Sequence, residues 1–522
     1  MISGLTSILM TAIAAAASYF AAPRGDSYGA LRIAAVWVLT AASAFLIPNK
    51  WIVMAAIAAI LIAFAPSRAA KRVFLYIGVF AAIPASFSLN VPFPGLNYLV
   101  SIDYAKVVTI ILLGPIFVQK MFSAPPQHLK SVDRLLLTFV LLTGVMSIRD
   151  LPFTSMLRVT LDQFLLVFVP YVAISRTLTT QKDVEHAIKA FFVGIIILAG
   201  VGVLSTVKQW NYYVHIADFV RAKSFIDYRN GLLRIGATLI PSLLGFLVGI
   251  GIVIAFALRA AKDYPKLYFF ACLGVFGLVI FATGARGAWL SAAMVVISYF
   301  LLSKLNKAGR QILIISLLAG FAGMMVLVFQ DSDLLSDKYG SFDYRAELVR
   351  TSMRQLADRP LFGSADFINT ARFAHLRQGE GIIDLVNVYI QLSLYYGLVG
   401  LSLFIGANFL VMRGGLTMLG RLPFGRGVSP DVARVHRIVS LLIAMQIGYL
   451  VLISTISAVS YIWHCGYILL ALLAAQVRVG ALAAQPTEQQ SKIPPDEEPS
   501  PAPSALKPDA PLPYGARFVR RP

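Results

Sequence analysis

Apolar stretches long enough to cross a bilayer recur along most of this chain, and they constrain its fold more than any other feature. They fall at about 2–22, 30–48, 51–66, 73–90, 104–121, 132–148, 157–176, 187–207, 237–259, 267–283, 286–303, 312–330, 385–412, 438–456 and 459–478. A run of about 18 apolar residues spans the ~30 Å hydrocarbon core as a helix. A helix is required because lipid offers exposed peptide groups no hydrogen bonds. Only 13% of the residues are charged, against roughly 25% in soluble globules. The expectation is an all-α, polytopic integral membrane protein with about 13–15 transmembrane helices and one large outer loop.

Charge then sets the orientation. The net charge is +20, and residues 484–522 hold five Lys/Arg against five Asp/Glu, so the excess belongs to the membrane body. Basic links recur at Arg68/Lys71/Arg72, Lys120/Lys130/Arg134, Arg176/Lys182, Arg259/Lys262/Lys266, Lys304/Lys307/Arg310 and Arg413/Arg421/Arg426/Arg434/Arg437. They occupy every second connection, which makes those links cytoplasmic and accounts for part of the charge without nucleic acid. The N-terminus has no basic region before its first apolar run, as expected of a first transmembrane helix and not of a cleaved signal. Cys272 and Cys465 both lie in apolar runs and read as core packing.

Five segments follow from this pattern: membrane helices over 1–236 with an outer loop at 208–236, helices over 237–330, an outer loop at 331–384, helices over 385–480, and a tail over 481–522. The tail is rich in Pro, Ala, Glu and Gln, cannot bury a core, and is expected to be disordered in the cytoplasm. No phosphate-binding loop is present, so ATP-driven work is not expected. Two outward links break the charge rule. Lys208–Gly236 carries Lys208, Arg221, Lys223, Arg229 and Arg234 against Asp218 and Asp227, and Asp331–Asp384 carries Lys338 and six arginines.

Arg286 is the sharpest candidate for chemistry. No Asp or Glu occurs between Tyr264 and Gln330, and Gly284 and Gly287 flank the arginine at a helix start. An intramembrane arginine is costly and usually faces a cavity or a partner. Glycines admit close backbone approach, and a helix N-terminus beside a guanidinium suits a phosphate. The other open reading is an arginine snorkelling to the interface with Trp289 as a belt anchor. In the large loop, Ser341–Arg359 reads as an amphipathic helix ended by Pro360. Glu347/Arg350 and Arg354/Asp358 are spaced as local ion pairs. Arg345 has no acid three or four residues away, which leaves a binding role and a solvated charge both open. His375, Glu380 and Asp384 are the titratable groups of the loop's second half. Near the other loop, Tyr212, Tyr213 and His215 offer either a stacking surface for sugars or interface anchors. Asn387 opens the next run and reads as a helix cap.

The order of these pieces resembles the O-antigen ligase/polymerase superfamily of bacterial envelope proteins. The residues that carry the resemblance are Thr283-Gly-Ala-Arg-Gly287, Tyr344-Arg345, Pro360-Leu-Phe-Gly363, Asn387-Val-Tyr-Ile-Gln391 and Gly397-Leu-Val-Gly-Leu401. The family pattern has a histidine before the asparagine, where this chain has Val386, and a second glycine after Gly363, where it has Ser364-Ala365.

The resemblance implies a metal-independent, cofactor-free glycosyltransferase in the bacterial inner membrane, working at its periplasmic face on undecaprenyl-pyrophosphate-linked glycans. Partners implied are that glycan and membrane lipid, with a chain-length regulator and a flippase, and no nucleic acid. Arg286 and Arg345 would bind the leaving pyrophosphate, with Arg221 or Arg234 assisting. Gly284, Gly287, Tyr344, Asn387 and Tyr389 would support the site, and His375, Glu380 or Asp384 would be the base. Valine at 386 cannot transfer a proton, which moves the reading from ligase toward polymerase of repeat units into exopolysaccharide or O-antigen. Transfer to an acceptor by a ligase is the nearer alternative. A transporter of lipid-linked oligosaccharide is the alternative of another class, and internal repeats would mark it.

Overall fold

The computed structural model describes residues 2–483 except 24, 26–28, 86, 94–95, 123–128, 150–152, 211, 213–227, 230–231, 305–340, 378–380, 424–427 and 460. The apolar run 312–330, residues 331–340 of the large loop, Arg221, His215, Glu380 and the tail from 484 onward lie outside the described residues.

The membrane body is built from α1 (Ile2–Phe20), α2 (Ala30–Leu46), α3 (Lys50–Phe64) and α4 (Ala69–Val79), then a hairpin of β1 (Ser88–Phe93) and β2 (Leu96–Asp103). There follow α5 (Tyr104–Met121), α6 (Lys130–Met146), and α7, which runs from Phe153–Gln163 through a π turn into Val169–Thr177. Next come α8 (Gln181–Lys208), α9 (Pro241–Ala260), α10 (Lys266–Ala282), α11 (Arg286–Lys304), α12 (Ser341–Asp358), α13 (Val388–Arg421), α14 (Pro430–Ile453) and α15 (Ile462–Ala483). Among the described residues, nine helices are long and apolar enough to cross a membrane, and four more are apolar but shorter. The chain is an all-α polytopic membrane protein.

One apolar run behaves differently from its sequence pattern. Over 73–90 a helix was expected, but α4 stops at Val79 and the chain turns into β1. Pro84 supplies no N–H and ends any helical continuation. Irregular backbone survives at membrane depth only when protein covers it and satisfies its polar groups. Both conditions hold here. Phe80, Ala81, Ala82 and Ile83 are buried. Trp37 Nε1 donates to the Gly78 carbonyl at 2.8 Å and Tyr104 Oη to Val79 at 2.9 Å. The hydroxyls of Thr238 and Tyr461 donate to the carbonyls of Ala81 and Ile83. Two π turns have a simpler cause. Thr109–Leu113 and Phe164–Phe168 each precede a proline, Pro115 and Pro170, whose missing N–H disturbs the regular ladder.

Side-chain contacts sort the connections into two ends of the bundle, alternating along the chain as the basic links do. At one end Arg68 reaches Asp183 at 3.1 Å, Arg176 reaches Asp133 at 2.6 Å, Lys189 reaches Asp263 at 3.1 Å and Arg434 reaches Glu185 at 3.7 Å. At the other, Lys106 Nζ lies 2.8 Å from Asp162 and 3.4 Å from Asp103, and Arg158 donates to the Tyr98 carbonyl at 2.6 Å. These last contacts pin the β1–β2 hairpin to α7. The candidate site lies at this second end.

α9 and α11 approach closely because small residues face each other. A Cβ built on Gly245 would stand 2.7 Å from Ala288 Cβ, and one on Gly249 would stand 2.5 Å from Ala292 Cβ. Small residues four apart let membrane helices pack backbone to backbone. The start of α11, with Arg286, is thereby fixed against α9.

Candidate functional site

The site grows from the break between α10 and α11. Thr283 caps α10 through its N–H to the Val279 carbonyl at 3.0 Å, and Gly284 takes φ +56°, a left-handed conformation that glycine adopts without strain. The chain can then restart at once, and Arg286 stands exposed in the first turn of α11. Trp289 closes the turn by donating Nε1 to the Ile280 carbonyl at 2.7 Å and stacking on Phe281 at 6.2 Å between centroids.

Two further arginines come to this turn from distant parts of the chain. Ile235 N–H donates to the Ala282 carbonyl at 3.4 Å and Arg234 Nε to the Thr283 carbonyl at 3.3 Å, so the segment before α9 is laid along the break. Gly287 faces the α14–α15 connection: a Cβ there would stand 2.3 Å from Thr455 Oγ1. Arg345, on α12, donates Nη2 to the Thr455 carbonyl at 3.4 Å. Arg234, Arg286 and Arg345 therefore gather around Thr283–Gly287 and Thr455, and both Arg286 and Arg345 are exposed. Arg221, the fourth cation expected here, lies outside the described residues.

The connection Ser454–Ala458 also carries the carboxylate side of the site. The Ser457 hydroxyl bonds the Asp384 carboxylate, and Ala458 N–H donates to Gln391 Oε1 at 3.1 Å. Tyr344, next to Arg345, donates its hydroxyl to the Asp384 carbonyl at 3.0 Å, and burial pushes that phenol above its ordinary range, keeping it a donor. Asp384 and Arg345 are thus held by neighbouring residues of one short connection. Sequence reasoning did not single out Thr455 or Ser457. The only signal was a Ser-Thr-Ile-Ser run between two apolar segments.

The structure separates the remaining candidates. His375 Nε2 lies 3.4 Å from Glu347 Oε1. Glu347 follows Arg345 by two residues, about 200° around the helix, so His375 sits across α12 from the arginines. Glu380 lies outside the described residues. Glu347 also lies 3.9 Å from Arg350, as its spacing suggested, but Asp358 takes Arg372 at 2.7 Å in place of the expected Arg354. Asn387 caps α13 by accepting from Tyr389 N–H at 2.9 Å and Ile390 N–H at 3.2 Å. Tyr389 spends its hydroxyl on the Leu450 carbonyl at 2.9 Å. Both are helix-positioning contacts. Val386 packs against the apolar cluster of Leu348, Phe367, Phe373 and Leu385 under the loop.

The two glycine-containing motifs are a backbone lock. Within α13, Gly397 takes φ +65° and ψ −167°, which kinks the helix. Its freed neighbours pair with the segment after α12: Leu398 N–H donates to the Pro360 carbonyl at 2.8 Å, Val399 N–H to Leu361 at 3.1 Å, and Ser364 N–H to Leu394 at 2.8 Å. Arg149, at the end of α6, joins the lock. Its Nη1 donates to the carbonyls of Phe362 at 2.8 Å and Gly363 at 3.1 Å, and its Nη2 to Tyr395 at 2.5 Å. Replacing Arg149 with alanine removes a fork that lysine cannot copy. We expect Arg149→Ala to lose about 1–2 kcal/mol, because hydrogen bonds from charged groups are worth more than neutral ones but this group is exposed. Arg149→Lys should recover less than half of that, measured as thermal unfolding of the purified protein.

Residues 270–405 match the family model described as O-Antigen ligase. That span holds Arg286, Arg345, Asp384, Asn387 and Gly397, whereas Arg234, Arg149 and the Ser454–Ala458 connection fall outside it. A search of curated proteins found no match.

Proposed function

We propose that this chain, whose residues 270–405 match the O-Antigen ligase family model, joins lipid-linked oligosaccharide repeat units into a polymer at the outer face of the membrane. The match over residues 270–405 supports a glycan ligase/polymerase role. The polymerase reading, the lipid pyrophosphate carrier and the outward site are our inference. The observation that carries it is the gathering of Arg234, Arg286 and Arg345 around one helix start, with the Asp384 carboxylate bonded to the adjoining connection through Ser457.

The chemistry needs a leaving group stabilised and a hydroxyl activated. In this reading the arginines and the α11 N-terminus hold the pyrophosphate of the donor lipid. The acceptor sugar hydroxyl attacks the anomeric carbon, and a new C–O bond forms with inversion. The bond from that carbon to the pyrophosphate oxygen breaks, and the lipid pyrophosphate leaves with the electron pair. Charge grows on its oxygen in the transition state, where preorganised cations count most. Asp384 accepts the hydroxyl proton. The alternation of basic links supports an outward site, and Val386 supports the polymerase over the ligase. The bulky polymer leaving through an outer site is where a chain-length regulator would act.

The experiment is reconstitution of the purified protein in liposomes with a lipid-pyrophosphate-linked repeat unit. The expected products are lipid-linked oligomers and free lipid pyrophosphate. Glycan appearing only on an added lipid A-core acceptor would replace the polymerase reading with a ligase. Unaltered repeat units crossing the bilayer would replace both with a transporter.

A further inference from the structure

At the end of the bundle away from the arginine site, α8, α9 and α14 enclose a crevice with a charged rim and an apolar wall. Its carboxylates are already engaged. Asp263, in the α9–α10 link, lies 3.1 Å from Lys189 Nζ and 4.0 Å from Arg434 Nη2, and Glu185 lies 3.7 Å from Arg434 Nη1. Three cations face two carboxylates, because Arg437 also lines the crevice. It stands one turn after Arg434 on the same face of α14. Among the described residues, no hydrogen bond or ion pair reaches its guanidinium. Leu258 and Ile438 form the wall beside it, both largely buried.

We propose that this crevice binds an anionic glycerophospholipid, its phosphate on Arg437 and Arg434 and one acyl chain along Leu258 and Ile438. Among the described residues, the lining of the crevice carries one positive charge in excess, which matches a headgroup of single negative charge. A half-buried guanidinium beside an apolar wall at a helix end suits the depth of lipid phosphates. Glu185 and Asp263 fix Arg434 and Lys189 in place, so the guanidinium of Arg434 is held beside Arg437. The basic links at this end make the leaflet the cytoplasmic one. The lipid would anchor the start of α14, and the connection after its far end delivers the Thr455 carbonyl to Arg345. This site stands apart from the glycan chemistry, and its test uses no glycan.

The full-length protein is purified in a zwitterionic detergent and titrated with phosphatidylglycerol or phosphatidylcholine, with retained lipid counted by native mass spectrometry. Wild type is expected to prefer phosphatidylglycerol at least ten-fold. Arg437→Gln should lose that preference, Arg437→Lys should keep part of it, and Arg421→Gln, a basic residue at the same end outside the crevice, should keep it all. Leu258→Trp fills the apolar wall and leaves the charges, so it should also lose the lipid, which keeps the test decisive if Arg437→Gln does not fold. Equal retention by Arg437→Gln and wild type overturns the proposal. So does equal loss in Arg421→Gln, which marks diffuse charge attraction, or displacement of the lipid by inorganic phosphate alone, which marks a free-phosphate site.

Discussion

Arg286→Ala and Arg345→Ala are each expected to lower glycan transfer by at least about 100-fold, the loss typical of removing one donor that stabilises transition-state charge. Cells carrying either variant at normal levels should hold single lipid-linked repeat units where wild type holds long chains. Arg286 stands in the first turn of α11, where backbone N–H groups and the helix dipole already favour an anion, and Arg345 is aimed by the Thr455 carbonyl. A lysine at either position keeps the charge and loses the fork, so it should restore part of the rate. Asp384→Asn is the informative contrast. It cannot take a proton, so turnover should fall as far while the donor lipid still binds. Full-length polymer from both arginine variants would remove them from the site.

Gly397→Ala should be as damaging, through the fold and not the chemistry. At φ +65° and ψ −167° the backbone lies in a region that only glycine occupies readily. A Cβ there would also stand 2.2 Å from the Leu361 carbonyl oxygen, a contact with backbone that cannot swing aside. Strain of about 1–3 kcal/mol for the dihedrals and a similar amount for overpacking predict a loss of about 3 kcal/mol or more. The measurement is the yield and thermal midpoint of folded protein in detergent. Gly400→Ala is a harsher control than it looks, since its Cβ would meet the Tyr396 side chain at 2.3 Å. Gly420, with nothing within 4 Å of a built Cβ, should tolerate alanine. An unchanged midpoint in Gly397→Ala would mean that the kink is not needed to seat the Pro360–Gly363 segment.

Much of this could be read before any coordinates. Apolar length identified the nine described helices long enough to cross a membrane, because the bilayer imposes one requirement on every helix. The Thr283–Gly287 break was visible because glycine, arginine and a restarting apolar run have few joint explanations. The Asn387 cap was visible for the same reason, as a capping residue directly before a span. What escaped has physical causes as well. Thr455 and Ser457 act through a backbone carbonyl and a hydroxyl, which leave almost no trace in composition. Arg149 binds only carbonyls, so no complementary residue type advertises it. The 73–90 run hides its break because the side chains that satisfy Gly78, Val79, Ala81 and Ile83 come from α2, α5, the turn before α9 and the turn before α15. His375 looked equal to Asp384 in sequence, and only the turn of α12 separates them. Val386, where the resemblance expected a histidine, packs against the apolar cluster that includes Leu348 and Phe367.

The proposal that the gathered arginines hold a lipid pyrophosphate is tested most directly by equilibrium binding of undecaprenyl pyrophosphate, the bare leaving group, to purified protein. Each arginine contributes charge-assisted hydrogen bonds worth about 1.5–3 kcal/mol, or roughly 10–100-fold in affinity. Arg286→Ala and Arg345→Ala should weaken binding by that factor, and Asp384→Asn should leave it unchanged. Equal affinity in wild type and both arginine variants would contradict the assignment.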